Sequence, residues 1–389
     1  MTSSVFTPLQ LRGLTLPNRV VIAPMCQYSA EEGRATDWHL IHLGQLAQSG
    51  SGMLIIEATG VEPRGRITHG CTGLYDDETE AAMARVIHAA KKYGNTPIAI
   101  QLGHAGRKAS AHAPQAGGKS LGPDEGAWET LAPSAIPFGN DWHRPREMDR
   151  ALMDEVIAAF VQATERSERI GFDAIELHGA HGYLLSEFLS PIANRRDDEY
   201  GGSIENRMRF PLEVFDACRA AWPDDKPAGI RFNGSDWDDA GLQLEDAITF
   251  AKALKEHGCD FFDISGGGNS MMRPEVGPAY QAPFAAAIKK ATGVPTMAVG
   301  MIRDPHLAEQ LIDEGQCDMV ALARGVLYEP RWTWRAAYEL GGEAAYPEQY
   351  QRGNPLLWPQ AFPENVDKSK QDGWVVGSAP HILVPSKAG

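Results

Sequence analysis

MLIIEAT, residues 53–59, opens on four apolar residues with no polar break and meets its first charge at Glu57. A strand with one wet face alternates, whereas a continuous run marks a strand covered on both faces. Seven further runs have the same character: 20–24 (VVIAP), 97–102 (PIAIQL), 174–178 (AIELH), 228–233 (AGIRFN), 261–265 (FFDIS), 295–299 (PTMAV) and 319–323 (MVALA). Helical patterns lie between them. In 152–169, Leu152, Val156, Ala159, Phe160 and Ala163 recur at steps of three and four. In 304–314, Asp304 is placed to cap a helix that starts on Pro305 and turns Leu307, Leu311 and Ile312 inward. Eight strand–helix repeats between about 20 and 340 predict an α/β fold, a single (β/α)8 TIM barrel rather than a doubly wound sheet. The stretch 7–17 (TPLQLRGLTLP) predicts an N-terminal hairpin at the barrel floor. A long insertion, 105–148, follows the third strand. Residues 346–389, with Pro at 347, 355, 359, 363, 380 and 385, read as an extended C-terminal tail after a barrel domain of 1–345.

The chain has 389 residues, 36 of them Lys or Arg and 51 Asp or Glu, and the net charge of −15 argues against a nucleic-acid partner. No apolar run approaches the roughly 20 residues that span a bilayer. The segment Met1 to Thr7 lacks the basic-then-apolar layout of a signal peptide. Five scattered cysteines (26, 71, 218, 259, 317) include no close pair, so neither a disulfide framework nor a zinc knuckle is indicated. The expectation is a cytoplasmic enzyme.

In a barrel the reactive groups sit at the C-terminal ends of the strands. After the seventh and eighth strands, Gly300 lets the backbone approach an anion and Arg324 offers a planar fork for phosphate oxygens; a turn glycine and an arginine paired to a surface carboxylate would look the same. Arg231, pointing into the mouth from the fifth strand, needs a compensating anion, either Glu57 or Glu176 or a bound cofactor. Gln101 has the amide to orient a planar heterocycle. His178 and His181 form an HxxH pair with two readings. They are metal ligands in need of a third group, or neutral imidazoles that each donate an N–H to one substrate oxygen. Tyr183, two residues on, is a weak acid placed to deliver a proton. His104 and the run Asp37-Trp38-His39 read as structural.

Together these residues resemble the Old Yellow Enzyme family of FMN-dependent ene-reductases, over residues 5 to about 340. The most specific parts are PNRVVIAPMCQY (17–28), QLGHAGRKA (101–109), ELHGAHGYLLSEFLSP (176–191) and, strongest of all, NRRDDEYGGSIENRMRF (194–210). Cys26, Tyr28 and the HxxH pair resemble the thermophilic-like and xenobiotic-reductase branch. The resemblance implies FMN across the strand ends, contacted by Pro24, Met25, Cys26, Ala58, Gln101, Arg231, Gly300, Ala323 and Arg324. It implies that Cys26 tunes the flavin potential rather than acting as a nucleophile, and that His178 and His181 hold the substrate carbonyl. Tyr28 would touch the substrate and Tyr183 would protonate it. Hydride would pass from NADPH (or NADH), by way of the flavin, to an alkene conjugated to a carbonyl or nitro group. The family commonly has Gly where Ala323 stands, an added methyl tolerable at negative φ. QYQRG (349–353) resembles a segment whose arginine, here Arg352, enters a neighbouring subunit's site, which implies a homodimer or homotetramer. Rival readings are a metal-assisted hydrolase using His178, His181 and His104, and a flavin-binding sensor. A dienoyl-CoA reductase fits poorly, since those relatives carry a cysteine cluster after the barrel and the last Cys here is Cys317.

Overall fold

The computed structural model describes residues 3–362, together with the short strands Trp374–Val376 and Leu383–Pro385. Eight parallel strands close into a ring in sequence order: β1 (Val20–Ile22), β2 (Met53–Gly60), β3 (Ile98–Gly103), β4 (Ala174–Gly179), β5 (Ala228–Asn233), β6 (Phe261–Ser265), β7 (Thr296–Val299) and β8 (Met319–Leu322), with β8 returning to β1. The expected (β/α)8 barrel is therefore observed. Prolines trim the expected runs. β1 stops before Pro24, and β3 and β7 begin just after Pro97 and Pro295, because proline has no N–H to give to the ladder.

Two apolar clusters divide the work. The larger fills the space between the strands and the helices, as with Leu152, Val156, Phe160 and Ala163 of helix Arg150–Ile170. The smaller lies inside the ring, where Val21, Met53, Ala99, Ala174, Phe261, Met297 and Met319 stack above Leu11 and Leu16. Those two leucines come from the N-terminal hairpin, Leu9–Leu11 against Leu14–Leu16, which closes the floor. Phe261 fits only because β5 offers Gly229 beside it: a Cβ there would lie 2.4 Å from the Phe261 ring. Gly229→Ala should cost about 1–3 kcal/mol by overpacking, read as a lower urea midpoint with an unchanged denaturant slope.

Above this apolar layer the interior turns polar. Register sets Gln101 beside Glu176, His178 beside Arg231, Arg231 beside Asp263, and Asn233 beside Ser265. The insertion 105–148 contains three 3-10 turns and a two-stranded parallel pair, Leu131–Ala132 with Arg146–Glu147. The polar signature 194–210 clamps it down. Arg196 donates to Pro133 O (2.9 Å) and Met148 O (2.7 Å), while Asn194 Nδ2 reaches Phe188 O and Tyr200 O.

The chain divides into two compact units, Met1–Ala345 and Tyr346–Gly389. Within the second, Glu348–Gly353 and Pro359–Ala361 are 3-10 turns. Most of the tail beyond 362 lies outside the described residues.

Candidate active site

β4 ends at Gly179, and the chain turns over a short loop in which His181 and Gly182 both take positive φ (61° and 69°). The His181 N–H donates to Asn233 Oδ1 at 3.1 Å, which holds the loop in this strained shape. As a result His178 Nε2 and His181 Nδ1 face each other at 3.3 Å, and the His181 Nε2 lies 2.7 Å from Ser265 Oγ. The Tyr183 ring packs edge-on to His178, centroids 5.0 Å apart. Burial pushes both imidazoles well below the usual histidine range, and the Arg231 and Lys108 charges add to it. Both rings are thus neutral with one N–H each: the Ala180 N–H donates to His178 Nδ1, so His178 carries its proton on Nε2 and donates it to His181 Nδ1. Burial moves Tyr183 the other way, so its phenol keeps its proton.

Lys108 supports this loop. Its ammonium donates to His181 O (2.7 Å) and Gly268 O (3.1 Å) and lies 5.1 Å from the centroid of the Tyr183 ring. Burial pulls its pKa down to about 8. The neighbouring Arg107 N–H donates to Glu187 Oε1 at 2.8 Å, and Gly106, at φ 60°, passes so close that a Cβ would sit 2.2 Å from that oxygen. Burial raises the Glu187 carboxyl from an ordinary 4.5 to about 8. The folded protein therefore keeps this proton between those two values while the unfolded chain releases it. Stability should fall as pH rises through that window. Between pH 5.5 and 7.5, Glu187→Gln should remove about 2 kcal/mol of that fall, measured as urea midpoints at the two pH values.

The segment Pro24–Tyr28 crosses the mouth half-buried, with Tyr28 at φ 52°. Burial, with Cys71 and Glu57 nearby, holds the Cys26 thiol well above its ordinary pKa, so it stands as a thiol rather than a thiolate nucleophile. Glu57 accepts from Gln27 N at 3.0 Å and lies 3.2 Å from His39 Nε2. It does not pair with Arg231. That role falls to Asp263, whose Oδ2 is 3.1 Å from Arg231 Nε without hydrogen-bond alignment. The other expected partner, Glu176, accepts from Gln101 Nε2 at 2.7 Å. Burial raises the carboxyls of both Glu176 and Asp263, against the pull of Arg231.

At the far side of the mouth, Gly300 has φ 128° and a Cβ there would meet the Tyr280 ring at 2.8 Å. Ala323 has φ −110°, so its methyl is accommodated. Arg324 is exposed and has no partner among the described residues, so no surface carboxylate claims it. Arg303 lies over the Tyr328 ring at 5.4 Å, with its side chain beside Gly325, and likewise has no carboxylate among the described residues. The mouth thus presents a planar anionic cofactor with an apolar wall (Pro24, Met25, Ala58), an amide, an arginine with an unbonded Nε, and two uncommitted arginines. Those groups fit a flavin mononucleotide.

The histidine triad of a hydrolase is not assembled. His104 Nε2 bonds Glu62 at 2.8 Å and its Nδ1 accepts from Gly106 N, so both nitrogens are committed. Arg352 lies exposed in the turn Glu348–Gly353 of the second unit. Sequence reasoning left Lys108, Asn233, Ser265, Asp263 and Arg303 without roles. The dipeptide Arg107-Lys108 and the lone Asp263 inside an apolar run were the available signals, since a charge within a covered strand needs a partner.

An eight-stranded barrel with paired neutral imidazoles, an interior arginine and a cationic rim after β7 and β8 defines a flavin-dependent barrel oxidoreductase. Residues 4–343 match the NADH:flavin oxidoreductase / NADH oxidase family. An NADPH dehydrogenase of Geobacillus thermodenitrificans is 42% identical over 355 residues, covering 91% of this chain and 99% of that one. Morphinone reductase in complex with tetrahydroNAD superposes with a TM-score of 0.70 at 29% identity, covering 88% and 92%. 2-Naphthoyl-CoA reductase in complex with 2-naphthoyl-CoA gives 0.78 at 25%; 86% of this chain aligns to 52% of that one, so the chain spans about half its length. The chain belongs to this NADH:flavin oxidoreductase family, the Old Yellow Enzyme family. It is an NAD(P)H-dependent flavin oxidoreductase whose cofactor is FMN. Among the described residues no helix is long and apolar enough to cross a membrane.

Proposed function

We propose that the protein reduces the C=C bond of alkenes conjugated to a carbonyl or nitro group. The observation that carries this is the pair of neutral imidazoles, His178 Nε2 and His181 Nδ1, 3.3 Å apart and aimed at one another. An acceptor oxygen that displaces this mutual contact takes the N–H of His178 Nε2, and His181 offers a second from Nδ1 once the Ser265 hydroxyl donates to its Nε2. Negative charge grows on that oxygen as hydride reaches the β-carbon, so fixed donors stabilise the transition state more than the ground state. An isolated alkene has no such oxygen and gains nothing.

FMN held there would supply the two-electron hydride chemistry that links a nicotinamide to the alkene. Pro24, Met25, Cys26 and Ala58 would wall it, Gln101 would orient its polar edge, and Arg231 would offset negative charge gained on reduction. Gly300, Ala323 and Arg324 would take the phosphate, with Arg303 beside them. Tyr28 would touch the substrate, and Tyr183, kept protonated by burial, would deliver a proton from its phenol oxygen to the α-carbon. Arg352 would act on a neighbouring copy's site in a homodimer or homotetramer, which light scattering measures. The test of the reaction is product analysis: NADPH-driven turnover should convert cyclohexenone to cyclohexanone and leave cyclohexene untouched. Equal reduction of both alkenes, or of neither, refutes the reading.

A further inference from the structure

The cavity at the mouth is larger than the proposed reaction needs. Between the insertion after β3 and the segment after β6 it encloses about 930 Å³. Ligand pockets span about 300–1,000 Å³, so this one has room for much more than a six-membered enone. Its inner wall is Gly266–Gly268. The Gly268 carbonyl shares Lys108 with the His181 carbonyl, so the cavity adjoins the histidine pair. Its aromatic faces are Phe138, Trp142 and Tyr280, and Met271 and Met272 stand 68% and 58% exposed on its rim. That much uncovered apolar surface marks a contact site.

Two cations line the same cavity, Lys119 and Arg273, both exposed. Neither side chain has a hydrogen bond or ion pair among the described residues. Asp141 is the one carboxylate in the lining. In a chain of net charge −15, two cations left without carboxylates at one cavity are available for an anion from outside. Screening confines charge effects to about 8–10 Å, so these local cations, not the overall charge, decide what anion is held.

We propose that this cavity holds the adenosine half of the hydride donor, with Arg273 and Lys119 gripping the ribose 2′-phosphate that distinguishes NADPH from NADH. The inference rests on the reading that the nicotinamide end reaches the histidine pair. A phosphate monoester offers oxygens that match the arginine fork and the lysine ammonium. The purine has aromatic faces and methionine side chains to lie against. A coenzyme A thioester, whose adenosine carries a 3′-phosphate, presents related chemistry, and the probes separate the two.

Holoenzyme is titrated with 2′,5′-ADP, 3′,5′-ADP and 5′-AMP, and rapid mixing gives the apparent Kd of NADPH and NADH for flavin reduction. The wild type should bind 2′,5′-ADP most tightly. In the double variant Arg273→Gln, Lys119→Gln, that advantage should vanish and the NADPH Kd should rise about tenfold, as expected for losing two exposed charge contacts, while NADH stays within about twofold. Added salt should reproduce the direction of the change. Reoxidation of the dithionite-reduced variant by cyclohexenone should match wild type, so a failure of ene-reduction itself shows in that arm alone. Equal weakening of NADPH and NADH, or 2′,5′-ADP binding no tighter than 5′-AMP, overturns the proposal, as does a preference for 3′,5′-ADP.

Discussion

His178→Ala should slow reoxidation of the reduced enzyme by cyclohexenone about 10²–10³-fold, the usual cost of removing one fixed donor from a developing oxyanion. His178 Nε2 faces His181 Nδ1, and Ser265 anchors the far nitrogen of His181, so the second donor keeps its place when the first is removed. Binding of a phenol in the same pocket should weaken by about tenfold, the worth of one hydrogen bond to a charge-bearing oxygen. Reduction by NADPH should fall as well, since the proposed reaction brings the nicotinamide to the same pocket. Rapid mixing separates the two half-reactions. Normal enone reoxidation in this variant would remove the histidine pair from the mechanism.

Arg231→Met should cost both the cofactor and the fold. It leaves Asp263, fully buried in β6, without its cation. Breaking a buried pair from one side costs about 3–5 kcal/mol. Asp263 can escape part of this by keeping a proton, because burial already raises its pKa. The deficit should therefore shrink as pH falls toward the ordinary aspartate range and deepen as pH rises. Adding Asp263→Asn to Arg231→Met should restore much of the melting temperature, since no charge is then stranded. It should not restore FMN, because the guanidinium is still missing. Melting curves and the ratio of flavin to protein absorbance test the two halves independently. Recovery of full flavin content in the double variant would show that Arg231 serves only to neutralise Asp263.

The barrel was legible because its strands are apolar on both faces, and eight such runs leave few alternatives. The ends were less so: the runs at 20–24, 97–102 and 295–299 include prolines that have no N–H to give to the ladder, and each strand is trimmed accordingly. The site was legible where a residue type has few uses, as with an HxxH pair at a strand end. It was not legible where a role depends on what lies across the ring. Arg231 needed an anion, but Glu57, Glu176 and Asp263 all occupy strands, and only the register of β5 on β6 selects Asp263. Lys108 was hidden for the same reason: its ties to His181 and Gly268 join segments 73 and 160 residues away. The insertion 105–148 has no period to read, because turns and side-chain clamps such as Arg196 shape it.

The most direct test of the flavin-and-imidazole pocket is an anaerobic spectrum of the purified protein, taken before and after NADPH and then after cyclohexenone. The protein should be yellow, lose its flavin band with NADPH, and regain it when the enone is added. A colourless protein that takes up no FMN, or a band that bleaches and does not return with cyclohexenone, would contradict the account.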